Sequence, residues 1–418
     1  MNRGACKLLP FSRGLWQTRN EAARILSKFY IYSTTTYSII LIDAHPRLRS
    51  FSYVNSEANR QGDKIMRIGK SLTTLAAGAL ISVLVTAQGR AADWWPFEVE
   101  DWSSGSAVKM QYVPLEKASK KWHLCALYPH LKDSWWVAIN YGEVKEAERL
   151  GVKLTVLEAG GYTNLNKQIS QFDDCVALGA DAILHSVISE EGLNRKIEEG
   201  RDKGIVQIGV GNPIFHGPVD AKVFADQSLM GYMGGMFAVD YFKDREKARV
   251  VQFPGPQGSG WAEDSAKGFH KAVEGTNIEV LEDKYGDTGK SIQLKLVEDA
   301  LQAYDDIDML FGVAVMAEVA NSALDEAGLA EDVKVISWYS TQGMIDMVGR
   351  GEVLGTVTQW PVAEGRMGVD LAVRVLEGKE FIKEIHPIPH PITTENIGKL
   401  DVSRAFAVKG YQPVFTVD

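Results

Sequence analysis

The chain has 418 residues and a formal net charge of −9. Its first 91 residues hold 13 Lys/Arg and only 4 Asp/Glu, which leaves 32 basic against 50 acidic residues in the remainder, a net of −18. That acidity excludes nucleic acid and anionic lipid as partners, and the roughly 325 residues after position 91 point to two domains.

Residues 1–65 contain Cys6, mixed Ser, Thr and Tyr, and no sustained period. They read as translation from a start upstream of the true one, with a genuine leader as the alternative. From Met66 a basic stretch (Arg67, Lys70) precedes an apolar run from Leu72 to Val85 and a small-residue site at Gly89–Ala91. Residues 66–91 therefore have the form of a secretory signal peptide. The apolar run is shorter than the roughly 20 residues that a bilayer span prefers. After it no run is long enough to cross a membrane, so none is expected to insert once the signal is removed. Residues 92–120 hold Trp94, Trp95 and Trp102 without a clear period, and are expected to form an N-terminal extension.

From Trp122 short apolar runs alternate with amphipathic stretches. Strands are expected at 123–128, 153–157, 182–185, 206–210 and 223–225, and helices at 135–150, 164–178, 192–203 and 229–242. Continuously apolar strands separated by helices of this length imply a parallel sheet covered on both faces. The pattern restarts at Ala248, with strands at 249–253, 279–282, 309–312, 334–338 and 355–358 and helices near 262–273, 291–304, 317–327 and 342–350. The fold class is thus α/β, two doubly wound lobes with a cleft facing the carboxyl ends of both sheets. A helix at 361–377 and the Pro-rich HPIPHPITTEN are too small to fold alone and should complete earlier sheets. Cys125 and Cys175 lack metal or redox spacing. A disulfide between them and two separately buried thiols both stand open.

Aromatic residues gather where strands end: Trp135 and Trp136 after WHLCALYPHLKDS, Trp261 after PGPQGSG, Trp338 and Tyr339 in VKVISWYS, and Trp360 after GTVTQ. Adjacent helix positions point about 100° apart, so at least one of Trp135 and Trp136 should face the cleft. Trp338 reads as core within an apolar strand, and His130 as a solvent-facing turn residue without a role. PGPQGSG lacks the GK[ST] ending of a phosphate loop and reads as a flexible cleft loop.

The order LYPHLKDSWW, EAGGYTN, ALGADAIL, PGPQGSGWAEDSAKGF and VTQW resembles the type 1 periplasmic binding proteins, the ribose-binding and LacI-like superfamily, over about residues 120–415. Within it, WHLCALYP, VLEAGGY and GYQPVF are similar to the branch that serves a membrane sensor kinase in trimethylamine N-oxide respiration. The resemblance implies three chain crossings, near 225–227, 358–360 and 392–393. Lobe one would then be 121–225 plus 360–392, and lobe two 227–358 plus 393–418. It also implies ligand contacts at Asp133, Trp135, Trp136, Tyr162 and Tyr339, to which Trp261, Asp226 and Gln359 are added as cleft candidates. Asp226 could instead be a hinge residue that satisfies backbone groups. Members of that branch carry a tryptophan in the first crossing, where this chain has Asp226 or Gln227; one cage wall is then either missing or supplied by Trp261 or Trp360.

The polar residues of a sugar site are absent at the matching positions, and an aromatic cage suits a methylated ammonium centre instead. The expectation is a periplasmic, non-catalytic receptor for a small methylated amine, trimethylamine N-oxide favoured, that signals by lobe closure to the periplasmic domain of a sensor histidine kinase. The alternative is the solute-binding subunit of an ABC importer for a sugar or small amine. No cofactor, metal site or enzymatic constellation is expected. A LacI-type repressor would need a DNA-binding helix pair where this chain has a signal segment.

Overall fold

The computed structural model describes residues 94–399 and 401–418. The expected leader at 1–65 and signal segment at 66–91 lie outside the described residues. Two strands with no sequence signal come first, β1 (Phe97–Asp101) and β2 (Val108–Tyr112). They pair antiparallel and lie at one edge of a nine-stranded sheet, so the segment 94–112 extends lobe one.

The centre of that sheet is parallel: β3 (His123–Tyr128), β4 (Lys153–Glu158), β5 (Ala182–His185), β6 (Val206–Val210) and β7 (Ala221–Val223). β3 is buried along its whole length, as a central strand with both faces covered must be. Between these strands run α1 (Ser134–Leu150), α2 (Leu165–Ala177) and α3 (Glu190–Asp202). A disulfide joins Cys125 on β3 to Cys175 on α2, which decides the pairing that the spacing left open.

The chain then crosses at Phe224–Asp226 into α4 (Gln227–Tyr241) and a six-stranded sheet. Strands β8 (Ala248–Phe253), β9 (Ile278–Asp283), β10 (Met309–Gly312), β11 (Lys334–Ser337) and β12 (Gly355–Val357) are parallel. Helices α5 (Gly260–Val273), α6 (Lys290–Ala303), α7 (Ala314–Ala327) and α8 (Gln342–Arg350) connect them. The second crossing, Thr358–Trp360, leads into α9 (Pro361–Leu376), which packs on α1 back in lobe one.

From α9 the chain adds β13 (Glu384–Pro387) between β7 and β1, then crosses a third time to β14 (Pro391–Thr393), antiparallel to β12. This crossing falls at 388–390 rather than at 392–393, because residues 391–393 are already paired in the second sheet. The tail also departs from the expected lobe-two assignment of 393–418. Arg404 donates to the carbonyls of Trp94 and Pro96, Asn140 on α1 holds the backbone of Val414, and β15 (Thr416–Val417) pairs antiparallel with β4. A two-residue strand on a free sheet edge carries too little hydrophobic pattern to be seen in sequence.

Each lobe is braced by one close helix pair. A Cβ on Gly142 of α1 would overlap the Val362 carbonyl of α9, and one on Gly365 would overlap that of Ile139. In lobe two, Gly231 of α4 meets Ser265 of α5 in the same way. Both helices that receive the chain from a crossing, α4 and α9, are therefore locked against a neighbour, which leaves the crossings as the natural place for motion.

Candidate functional site

The loops at the carboxyl ends of the two sheets face each other across the cleft, as expected for open α/β sheets. On the lobe-one side the site starts from a helix cap. Asp133 precedes α1 with extended backbone, and its Oδ1 accepts from the amides of Trp135 and Trp136, both at 3.0 Å. Two of the helix's unpaired N–H groups are thereby satisfied, and the first turn is fixed with both indoles turned inward. The rings stand 4.6 Å apart at 87°. Trp135 lies over Gly211, whose φ is 77° and where a Cβ would stand 3.0 Å from the ring; an L side chain there would be strained and crowded. Tyr162 follows the Gly160–Gly161 turn after β4, and its hydroxyl accepts from Asn212 Nδ2 at 3.1 Å.

Lobe two supplies Trp261 from the first turn of α5, Thr288 from the loop before α6, and Trp338 with Tyr339 just past β11. Gly255, at φ 125°, leaves the space that the Trp261 ring fills. Gln227, at the start of α4, and Gln359, in the second crossing, close the hinge side. Together these residues enclose a cavity of about 30 Å³. Ring contacts run from one lobe to the other: Tyr162 to Trp261 at 5.6 Å, Trp261 to Trp338 at 5.7 Å, and Trp338 to Tyr339 at 4.8 Å.

Seven of the eight candidates, Asp133, Trp135, Trp136, Tyr162, Trp261, Tyr339 and Gln359, line this one cavity. Asp226 does not. It caps α4, its Oδ1 accepting from Leu229 N at 2.8 Å, and the helix turns its neighbour Gln227 into the cavity instead. Trp360 also stays outside; it packs on Phe97 and donates to the Ile388 carbonyl at 2.7 Å, bridging two crossings. Trp338, expected in the core, is buried there and also lines the cavity, since β11 ends at Ser337 and the residue sits just past it. His130, expected in solvent, is 1% exposed and packs against Trp136 and Tyr162. Asn212 was findable from its place at the end of an apolar strand; Thr288, in a polar loop, gave no such signal.

The charge of the site is spare. Asp133 is the one lining residue with a carboxyl group, and neither Lys nor Arg lines the cavity. Burial pushes its carboxyl above the usual range, while His130 and the two capping amides pull it back. Burial also lifts the phenols of Tyr162 and Tyr339, so both keep their protons and can donate. The indole N–H groups of Trp135, Trp261 and Trp338 are buried without a partner. A buried donor left unpaired costs about 1–3 kcal/mol, so an acceptor brought within reach of these groups is favoured.

Residues 126–380 match the periplasmic binding protein domain family. The chain belongs to the periplasmic binding proteins. Within them it is 31% identical to the periplasmic protein TorT of Escherichia coli K12 over 316 residues, 75% of this chain and 90% of TorT. Among solved structures it is similar to an ABC transporter solute binding protein from Bradyrhizobium sp. BTAi1 with bound bis-tris, at 42% identity and a TM-score of 0.67, covering 78% of this chain and 99% of that one. It is also similar to the complex of TorT with the TorS sensor domain in the presence of TMAO, at 29% identity and a TM-score of 0.65, covering 71% of this chain and all of its counterpart. As a periplasmic binding protein the chain is a ligand-binding molecule, and its TorT relatives are periplasmic. Among the described residues no helix is long and apolar enough to cross a membrane.

Proposed function

We propose that this periplasmic binding protein is a periplasmic, non-catalytic receptor for trimethylamine N-oxide or a closely related methylated amine, and that lobe closure reports occupancy to the periplasmic domain of a sensor histidine kinase. The observation that carries the reading is the combination of unpartnered indole N–H groups, protonated phenols and one carboxylate within an aromatic wall. An N-oxide oxygen accepts from those donors, while the methyl groups and positive nitrogen lie against ring faces, each worth roughly 0.5–2 kcal/mol when desolvated. Closure biases a kinase only if ligand prefers the closed form, and moving an equilibrium from 1:99 to 99:1 needs about 5.5 kcal/mol of preference.

A second reading, the solute-binding subunit of an ABC importer for an amine, is supported by the similar solute binding protein that holds bis-tris, a tertiary amine. Isothermal titration with trimethylamine N-oxide, trimethylamine, glycine betaine, choline, bis-tris and ribose separates the ligand classes. Trimethylamine N-oxide should bind most tightly, and Trp136→Ala should abolish that binding in a folded protein. Ribose as the only ligand, or unchanged affinity in the folded variant, refutes the cage. Ligand-dependent binding of the isolated sensor domain distinguishes the kinase partner from the importer.

A further inference from the structure

We propose that His130 is a positioning residue that latches the two lobes, its Nε2–H donating across the cleft to Thr288 Oγ1 and so coupling the cage of lobe one to closure of lobe two. The inference rests on the cavity being the ligand site. Its geometry is set by three contacts. The Lys132 amide points at Nδ1 from 3.3 Å, and a backbone N–H can only donate, so Nδ1 is the bare nitrogen and the hydrogen sits on Nε2. Nε2 lies 3.2 Å from Thr288 Oγ1 and 3.9 Å from Asp133 Oδ2. Thr288 has its own onward acceptor, Asp287 Oδ1 at 3.5 Å, so the hydroxyl can receive from His130 while donating away from it.

The imidazole is wedged edge-to-face between Trp136 at 6.3 Å and Tyr162 at 5.5 Å. It does not line the cavity, but it touches two rings that do and stands beside the carboxylate that caps them. A ligand that seats those rings also fixes the imidazole at the angle that reaches Thr288. The latch lies in the cleft beside the Tyr162–Trp261 ring contact, away from the three crossings, where a small hinge rotation would part it. Burial holds the ring neutral, which preserves the single donor that the geometry requires.

The test uses the full chain and four variants: His130→Phe and Thr288→Val, which break the bond, and His130→Gln and Thr288→Ser, which keep a donor or a hydroxyl. Small-angle X-ray scattering, without ligand and at saturating trimethylamine N-oxide, reads lobe opening, and isothermal titration with trimethylamine N-oxide reads affinity. Each breaking variant should shift the protein toward the larger, open form and weaken binding about three- to tenfold, the worth of one neutral hydrogen bond. The double variant should be no worse than the poorer single one, and the conservative variants should recover most of the loss. Unchanged scattering in both breaking variants, or additive losses in the double one, overturns the latch. If the unaltered protein fails to bind trimethylamine N-oxide, the proposed ligand falls, and the latch is decided by the same scattering comparison at saturation with whichever amine of the titration series does bind.

Discussion

Glu143 should make this protein less stable as pH rises from mildly acidic to mildly basic. It lies buried on α1, on the face that packs against α9. Its Oε2 accepts from the Tyr128 hydroxyl at 2.5 Å, and its Oε1 has no partner. Neither arginine of α9 helps, because Arg366 is bonded to Glu146 at 2.9 Å and Arg374 to Asp370 at 2.6 Å. Burial, only partly offset by Tyr128, raises the carboxyl from 4.5 to about 8. Between those values the folded protein holds a proton that the unfolded chain has released. Stability is therefore fully present below about pH 4.5 and falls as pH rises, by about 1.4 kcal/mol per unit. Over the whole window the loss is on the order of 5 kcal/mol. Glu143→Gln keeps the shape without the ionisation. Urea unfolding of both proteins at pH 5, 6, 7 and 8 should show the wild type losing ground steadily against the variant. A difference that stays constant from pH 5 to 8 refutes a buried, protonated Glu143. Because α1 also carries Trp135 and Trp136, the same rise in pH should loosen the wall of the ligand cavity.

Gly142→Ala should drive a methyl group into the Val362 carbonyl and lower stability by about 1–3 kcal/mol, read as a drop in thermal midpoint. Replacing Cys125 and Cys175 together by alanine removes a cross-link between residues 50 apart; it should cost about 4 kcal/mol in denaturant unfolding, and reductant should then no longer affect the protein. Asp226→Ala should cost about 1 kcal/mol through loss of the α4 cap yet leave ligand affinity within about twofold, whereas Gln227→Ala should weaken titrated affinity with little change in stability.

The parallel cores were legible because burial on both faces forces unbroken apolar runs. The runs at 123–128, 182–185, 206–210 and 309–312 coincide with strands β3, β5, β6 and β10. β2 left no trace, since four of its five residues are exposed and its pairing depends on a neighbour near in sequence but not on a hydrophobic period. β13 and β15 owe their positions to long-range pairing, β13 between β7 and β1 and β15 on the free edge of β4. At the site, helix geometry required at least one of the paired tryptophans to face the cleft, the family resemblance marked both, and both line the cavity. Asp226 was not readable, because an aspartate at a crossing serves a cap as readily as a ligand, and only the helix start tells them apart. His130 was missed because a histidine after a proline in a polar turn looks solvent-facing until the opposite lobe is folded over it.

The return of the tail to lobe one has a mechanical consequence. β1 and β2 form one edge of the nine-stranded sheet and β15 forms the other, so the first and last described strands belong to the same lobe. Tension applied through those two strands is carried across that sheet, and the six-stranded sheet hangs from it by its crossings without bearing load. Lobe two can therefore swing while lobe one is held by those two strands, like a jaw on a clamped vise.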